Sequence, residues 1–254
     1  EFRRVLFRSD EAFAAQMARR DWLIATRMPL VHALLPEGRA AAAELLSLVL
    51  ERLGRDAGYR LEAGAVVRPD GVRVPVDARM PLVTLGRLVQ EDLCLLLPGP
   101  EGHVLVGAVL CFPANWMLSQ KIGRALPGVH LPVEGYVGDL ERRVQRLFDG
   151  LRAGQVLERF NALVYDDPEL HQPRPEGEHR PLPVEGRYLR SERQCLLRLP
   201  QTGAVLFSIH TVIVRTADLA DLSYALDREV LGAILNTLPI ELSFVDHEDR
   251  VQYF

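Results

Sequence analysis

The stretch YLRSERQCLLRLPQTGAVLFSIHTVIV, residues 188–214, holds two β-prone runs around Pro200-Gln201-Thr202-Gly203. Apolar and β-branched residues on either side of a proline and glycine turn predict a β-hairpin, residues 188–199 with 204–214. Side chains alternate along a strand, so Val205, Phe207, Ile209 and Ile213 take one face. Leu206, Ser208, His210 and Val212 take the other. In the first strand Arg190, Glu192 and Gln194 share a face, and Arg193 lies opposite. Residues 199–203 spell the L-P-x-T-G of a sortase signal, but without the apolar span and basic tail of that signal they read as the turn.

Working outward, residues 93–97 and 104–111 form a second hairpin around Pro98-Gly99-Pro100-Glu101-Gly102. A helix over residues 39–55 carries Leu45, Leu46, Val49, Leu50 and Leu53 on one stripe and stops near Gly54. Another follows Asp139, a capping residue, with Leu140, Val144, Leu147, Phe148 and Leu151 on one face and Gly154 as its stop. Residues 56–81 hold short β-prone runs and the turn Pro69-Asp70-Gly71. Residues 112–136 read as a proline-punctuated loop, and 166–186 as a long polar one. Strands mixed with helices, without a βαβ repeat, predict an α+β fold with an antiparallel sheet.

The chain has 254 residues, 48% hydrophobic and 25% charged, with a formal net charge of -4. That balance excludes disorder and gives no electrostatic reason to expect nucleic acid or a membrane surface as partner. No apolar run nears the ~20 residues of a membrane span. Cys94, Cys111 and Cys195 sit in apolar runs far apart, which predicts buried free thiols in a reducing cytosol. Glu1–Ser9 contains Leu6-Phe7-Arg8-Ser9, the kind of string a translated sequencing adapter gives, so the domain is expected to begin at residue 10.

Zinc-hydrolase histidine spacings, G-x-S-x-G, the P-loop and G-x-G-x-x-G are all missing, which removes the commonest hydrolase and nucleotide fingerprints. Three residues stand out. Lys121 is the only lysine beside 29 arginines. His130 lies in the Pro132-locked run Val129-His130-Leu131-Pro132-Val133, and His210 lies mid-strand. Each histidine reads either as a satisfied structural group or as a ligand. The polar set Arg190, Glu192, Arg193 and Gln194 reads either as a solvated face or as an anion clamp.

Four blocks in order resemble the haem-dependent oxidative N-demethylase α-subunit family. They are Gln90–Leu96; Cys111-Phe112-Pro113-Ala114-Asn115-Trp116 with Lys121-Ile122-Gly123-Arg124; Val129–Val133; and Leu189–Gln194 with residues 199–209. The resemblance spans residues 20–222 and implies a PAS-like antiparallel sheet with flanking helices holding haem b. It implies oxidative removal of a methyl group from a small secondary amine such as dimethylamine, using O2. Electrons would come from a flavin and iron–sulfur reductase subunit drawing on NADPH, and a folate-linked subunit would take up the formaldehyde.

On the same resemblance His130 becomes the candidate axial ligand of the haem iron, with His210 as the alternative and Trp116 beside the cofactor. Arg190 and Arg193 become candidates for the haem propionates. Lys121 becomes a proton donor, and Glu192 a group that orients the arginines or holds the substrate ammonium. The family's Asn-Trp is Asn161-Ala162 here, so a bulky pocket wall is expected to be missing. Residues 238–254 resemble the first hairpin of a further PAS-like unit, which divides the chain into 10–222 and 223–254, and residues 236–254 are expected to be frayed or loosely docked. Two other expectations stay open: a non-catalytic haem or small-ligand sensor, and a degenerate member that binds nothing.

Overall fold

The computed structural model describes residues 10–130, 139–178, 182–218, 243–245 and 251–253. Their core is a six-stranded sheet ordered β1-β6-β5-β9-β8-β7. The strands are β1 His32–Leu34, β5 Asp92–Gly99, β6 Gly102–Val109, β7 Val156–Tyr165, β8 Tyr188–Arg198 and β9 Val205–Arg215. Every neighbouring pair is antiparallel. A smaller sheet joins β2 Arg60–Glu62, β3 Ala65–Val67 and β4 Arg73–Pro75. With helices against both, this is the α+β fold expected.

The two hairpins form where the patterning places them. Leu199 N donates to Ala204 O at 2.8 Å, and Gly203 takes φ +69°, a conformation that strains other residues. Buried Glu44 clamps the turn, accepting from the Gln201 and Thr202 amides and the Thr202 hydroxyl. Gly71, at φ +81°, closes the Pro69-Asp70-Gly71 turn between β3 and β4.

Helices α1 Phe13–Val31, α2 Arg39–Leu53 and α3 Pro81–Gly86 cover one face of the sheet. Leu93, Leu95, Cys195, Leu197 and Leu206 meet them there. The other face carries Cys94, Leu96 and Val205. It packs on α4 Leu118–Lys121, α5 Leu126–His130 and α6 Asp139–Gly150 through Leu118, Leu126 and Phe148. The expected loop over 112–136 therefore contains two short helices, and the helix at Asp139 ends at Gly150 rather than Gly154. Four of the elements named here lie outside the expectations: α1, β1, α3 and β7. Ser243–Val245 pairs with Val251–Tyr253, so part of the C-terminal hairpin is present. The remaining residues of 219–254, and the head 1–9, lie outside the described residues.

The three cysteines are buried and free. Burial pushes the Cys111 and Cys195 thiols up to about 12, so they stay protonated and inert.

Candidate functional site

Register places the polar residues of β7, β8 and β9 on two opposite faces. Arg159, Asn161 and Leu163 of β7 sit opposite Gln194, Glu192 and Arg190 of β8. Those three in turn sit opposite Ile209, Thr211 and Ile213 of β9. By alternation this is the face that α4–α6 pack on. Along the strands it changes character: Leu157, Leu196, Val205 and Phe207 lie at one end, and Asn161, Glu192 and Thr211 at the other.

Arg190 is the brace of this face. It is 2% exposed, donates from Nη2 to Phe112 O at 2.6 Å and from Nη1 to Leu170 O at 2.9 Å, and reaches Glu192 Oε1 from Nε at 3.2 Å. Its fork is spent on two backbone carbonyls and one carboxylate, which makes it a positioning group rather than a clamp for a ligand's carboxylate. Glu192 Oε2 accepts from Gln194 Nε2 at 3.0 Å, and Gln194 Oε1 accepts from Arg159 at 2.7 Å. Half-buried Trp116 packs with the apolar end of this face. Asn115, just before it, takes φ +63° and donates its amide to Gln172 O.

Lys121 is buried at the end of α4 and pairs with Glu176 Oε1 at 2.5 Å. That carboxylate also meets Arg124, and the Glu176 amide donates to Gln120 Oε1. With His171 against Cys111 O and Leu170 against Arg190, the 166–178 segment is strapped down rather than loose. Residues 123–124 run along the edge of β6, so β5 and β9 stand between that edge and the strand of Glu192. Of the expected catalytic pair, Lys121 therefore ends α4 next to the β6 edge, and Glu192 lies on β8 with β5 and β9 between. His130 ends α5, and its side chain lies outside the described residues.

Arg193 and His210 occupy the opposite face. Arg193 lies 3.6 Å from Glu91 and 3.9 Å from Glu158. His210 is across from Arg193 in register, with Nε2 2.9 Å from Asp10 Oδ2 and Nδ1 3.3 Å from Glu91 Oε1. One flat cofactor rests on one face, so Arg190 with Trp116 and Arg193 with His210 are not one binding set. Ala162 opposes Ser191 and shares the Arg193 face. The position where the family carries the bulky residue thus faces away from Glu192.

Burial alone would lower the His210 pKa, but the Glu91 and Asp10 carboxylates outweigh it and raise the value above the usual 6.5. Asp10 is lowered from 3.8, because hydrogen bonds from Gln90 and His210 outweigh its own burial. A raised histidine stabilises fully below the unfolded value and loses that contribution as pH rises through the folded one. A lowered aspartate contributes above its unfolded value and loses it in acid. His210→Gln is therefore expected to lower the melting temperature more at pH 6 than at pH 9. An equal loss at both pH values would refute the charged pair.

Clefts of about 440 and 550 Å³ open beside the β5–β6 turn, around Glu101 and Pro127. Their linings contain none of the polar residues of the Glu192 face. Among the described residues no helix is long and apolar enough to cross a membrane.

Trp116, Phe207, Leu157 and Leu196 give the Glu192 face an apolar end, the kind of surface that a flat, largely apolar cofactor requires. The sequence model of the family described as haem-dependent oxidative N-demethylase, alpha subunit-like, matches residues 3–243. Over nearly its whole length, then, the chain belongs to the haem-dependent oxidative N-demethylase alpha-subunit-like family.

Proposed function

We propose that this chain is the catalytic subunit of a haem b enzyme, PAS-like in fold and cytoplasmic, that removes a methyl group from a small secondary amine such as dimethylamine. The family match over residues 3–243 carries this reading. The order β6-β5-β9-β8-β7 supports it, since counting from β5 it runs 2-1-5-4-3, as in PAS-like sheets. When bound, haem supplies the oxidation: amine, O2, two electrons and two protons give demethylated amine, formaldehyde and water. The electrons come from a flavin and iron–sulfur subunit using NADPH, and a folate-linked subunit takes up the formaldehyde.

The chain's own residues divide the work. His130 is the proposed axial ligand, and Trp116, Leu157, Leu196 and Phe207 form the apolar wall. Glu192, held by Arg190 and Gln194, attracts and orients the substrate ammonium. Lys121, anchored by Glu176 at the end of α4, is the proposed proton donor.

Purified chain mixed with hemin is expected to show a Soret band that shifts or weakens in His130→Ala. With dimethylamine and an electron donor it is expected to yield formaldehyde and methylamine in equal amounts. A chain without a Soret band overturns the reading. A Soret band without turnover replaces it with a haem sensor.

A further inference from the structure

Across three strands of the Glu192 face runs a row of polar side chains, Asn161, Glu192 and Thr211, directly opposite one another in register. Directly opposed residues in an antiparallel sheet stand about 5 Å apart, so the three side chains form one continuous row about 10 Å long. Thr211 is 1% exposed, and its Oγ1 has no hydrogen-bond partner among the described residues. The buried Asn161 Oδ1 has none either. Folded proteins satisfy nearly all buried polar atoms, and two orphans flanking one carboxylate on one face call for a ligand. That ligand must bring hydrogen-bond donors, because the carboxylate and the amide oxygen can only accept.

The flanking positions on this face are mixed: Leu163, Arg190 and Ile213 on one side, Arg159, Gln194 and Ile209 on the other, with Arg190 turned to Glu192 and Arg159 to Gln194. Glu192 is fixed through both oxygens, by Arg190 and Gln194. We propose that this row is the subsite for the N–H groups of a small alkylammonium, with Asn161 and Thr211 as specificity-determining residues beside Glu192. A secondary ammonium offers two N–H donors for the row and two alkyl groups for the isoleucines and leucine. The proposal rests on the demethylase reading for its class of substrate.

The test is calorimetric titration of the full chain, with and without hemin, using dimethyl-, trimethyl- and tetramethylammonium chloride. Affinity is expected to fall about tenfold for each N–H removed, the size of one charge-assisted hydrogen bond. Thr211→Val and Asn161→Leu are each expected to bind dimethylammonium about tenfold more weakly, with tetramethylammonium unaffected, while Thr211→Ser keeps the preference. Thr211→Val is also expected to melt no lower than the parent, since it deletes an unpaired hydroxyl. Tetramethylammonium binding as tightly as dimethylammonium, or both variants binding like the parent, overturns the row. If the Soret band and formaldehyde production persist in that case, the demethylase reading stands without it. Discrimination without a Soret band keeps the row and overturns the reading.

Discussion

Replacing Asp92 by alanine is expected to remove about 3–5 kcal/mol of stability, the usual cost of stranding one member of a buried ion pair. Asp92 is 1% exposed, and its Oδ1 accepts from Arg20 Nη1 at 2.7 Å. Arg20 is fully buried and also donates to the carbonyls of Gly86, Gln90 and Glu91. The same carboxylate accepts the amides of Cys111 at 2.7 Å and Phe112 at 2.8 Å. One aspartate thus ties α1, the residues after α3 and the exit of β6 together. Deleting it leaves a guanidinium and two amides without a shared acceptor in the core.

For a chain of this size each kcal/mol is worth about 2–4 °C, so melting should fall by roughly 10 °C. Thermal unfolding of Asp92→Ala, Arg20→Met and the pair Arg20→Met with Asp92→Leu measures it. The double variant should lose less than the two single losses added, because a well-packed apolar pair leaves no buried charge. A loss under about 1 kcal/mol for Asp92→Ala would show that the hub does not hold the core.

What could be read from the residues follows from the range of the interactions involved. Both hairpins and α2 were legible because turn and stripe are local: Gly203 and Leu45 mark themselves within a few positions. Helix α1 was not, because its buried stripe of Phe13, Met17, Leu23 and Ile24 is interrupted by Gln16 and Arg20, which are also buried. Their partners, Thr211 O and Asp92, are 195 and 72 residues away. A kink at Arg27 with Pro29 inside adds a second break in the pattern. Strand β7 escaped because Glu158 and Arg159 sit mid-strand, and most of its positions are only half-buried.

The site shows the same division. That Arg190 and Glu192 face away from Arg193 was plain from alternation. That Asn161 joins Glu192 depends on the register of two strands separated by residues 166–187, and no local pattern encodes it. His210 meets Asp10 across 200 residues, which equally hid its role on the other face.

Arg190→Met is expected to cost about 3 kcal/mol and, unlike the Asp92 variant, to act through the site itself. It strands the carbonyls of Phe112 and Leu170 and leaves the buried Glu192 with Gln194 but without its cation. Arg190→Lys should lie between parent and methionine, because an ammonium keeps the charge but lacks the planar fork that reaches all three acceptors. The decisive comparison is Glu192→Gln in both backgrounds. In the parent it should destabilise by removing the charged partner of Arg190. In Arg190→Met it should restore part of the loss, because no uncompensated buried charge then remains. Recovery of about 1 kcal/mol or more in denaturant unfolding identifies Arg190 as the group that allows a carboxylate to exist on this face. No recovery would mean that Arg190 matters only for strapping Phe112 and Leu170, and that Glu192 owes its placement to Gln194 alone.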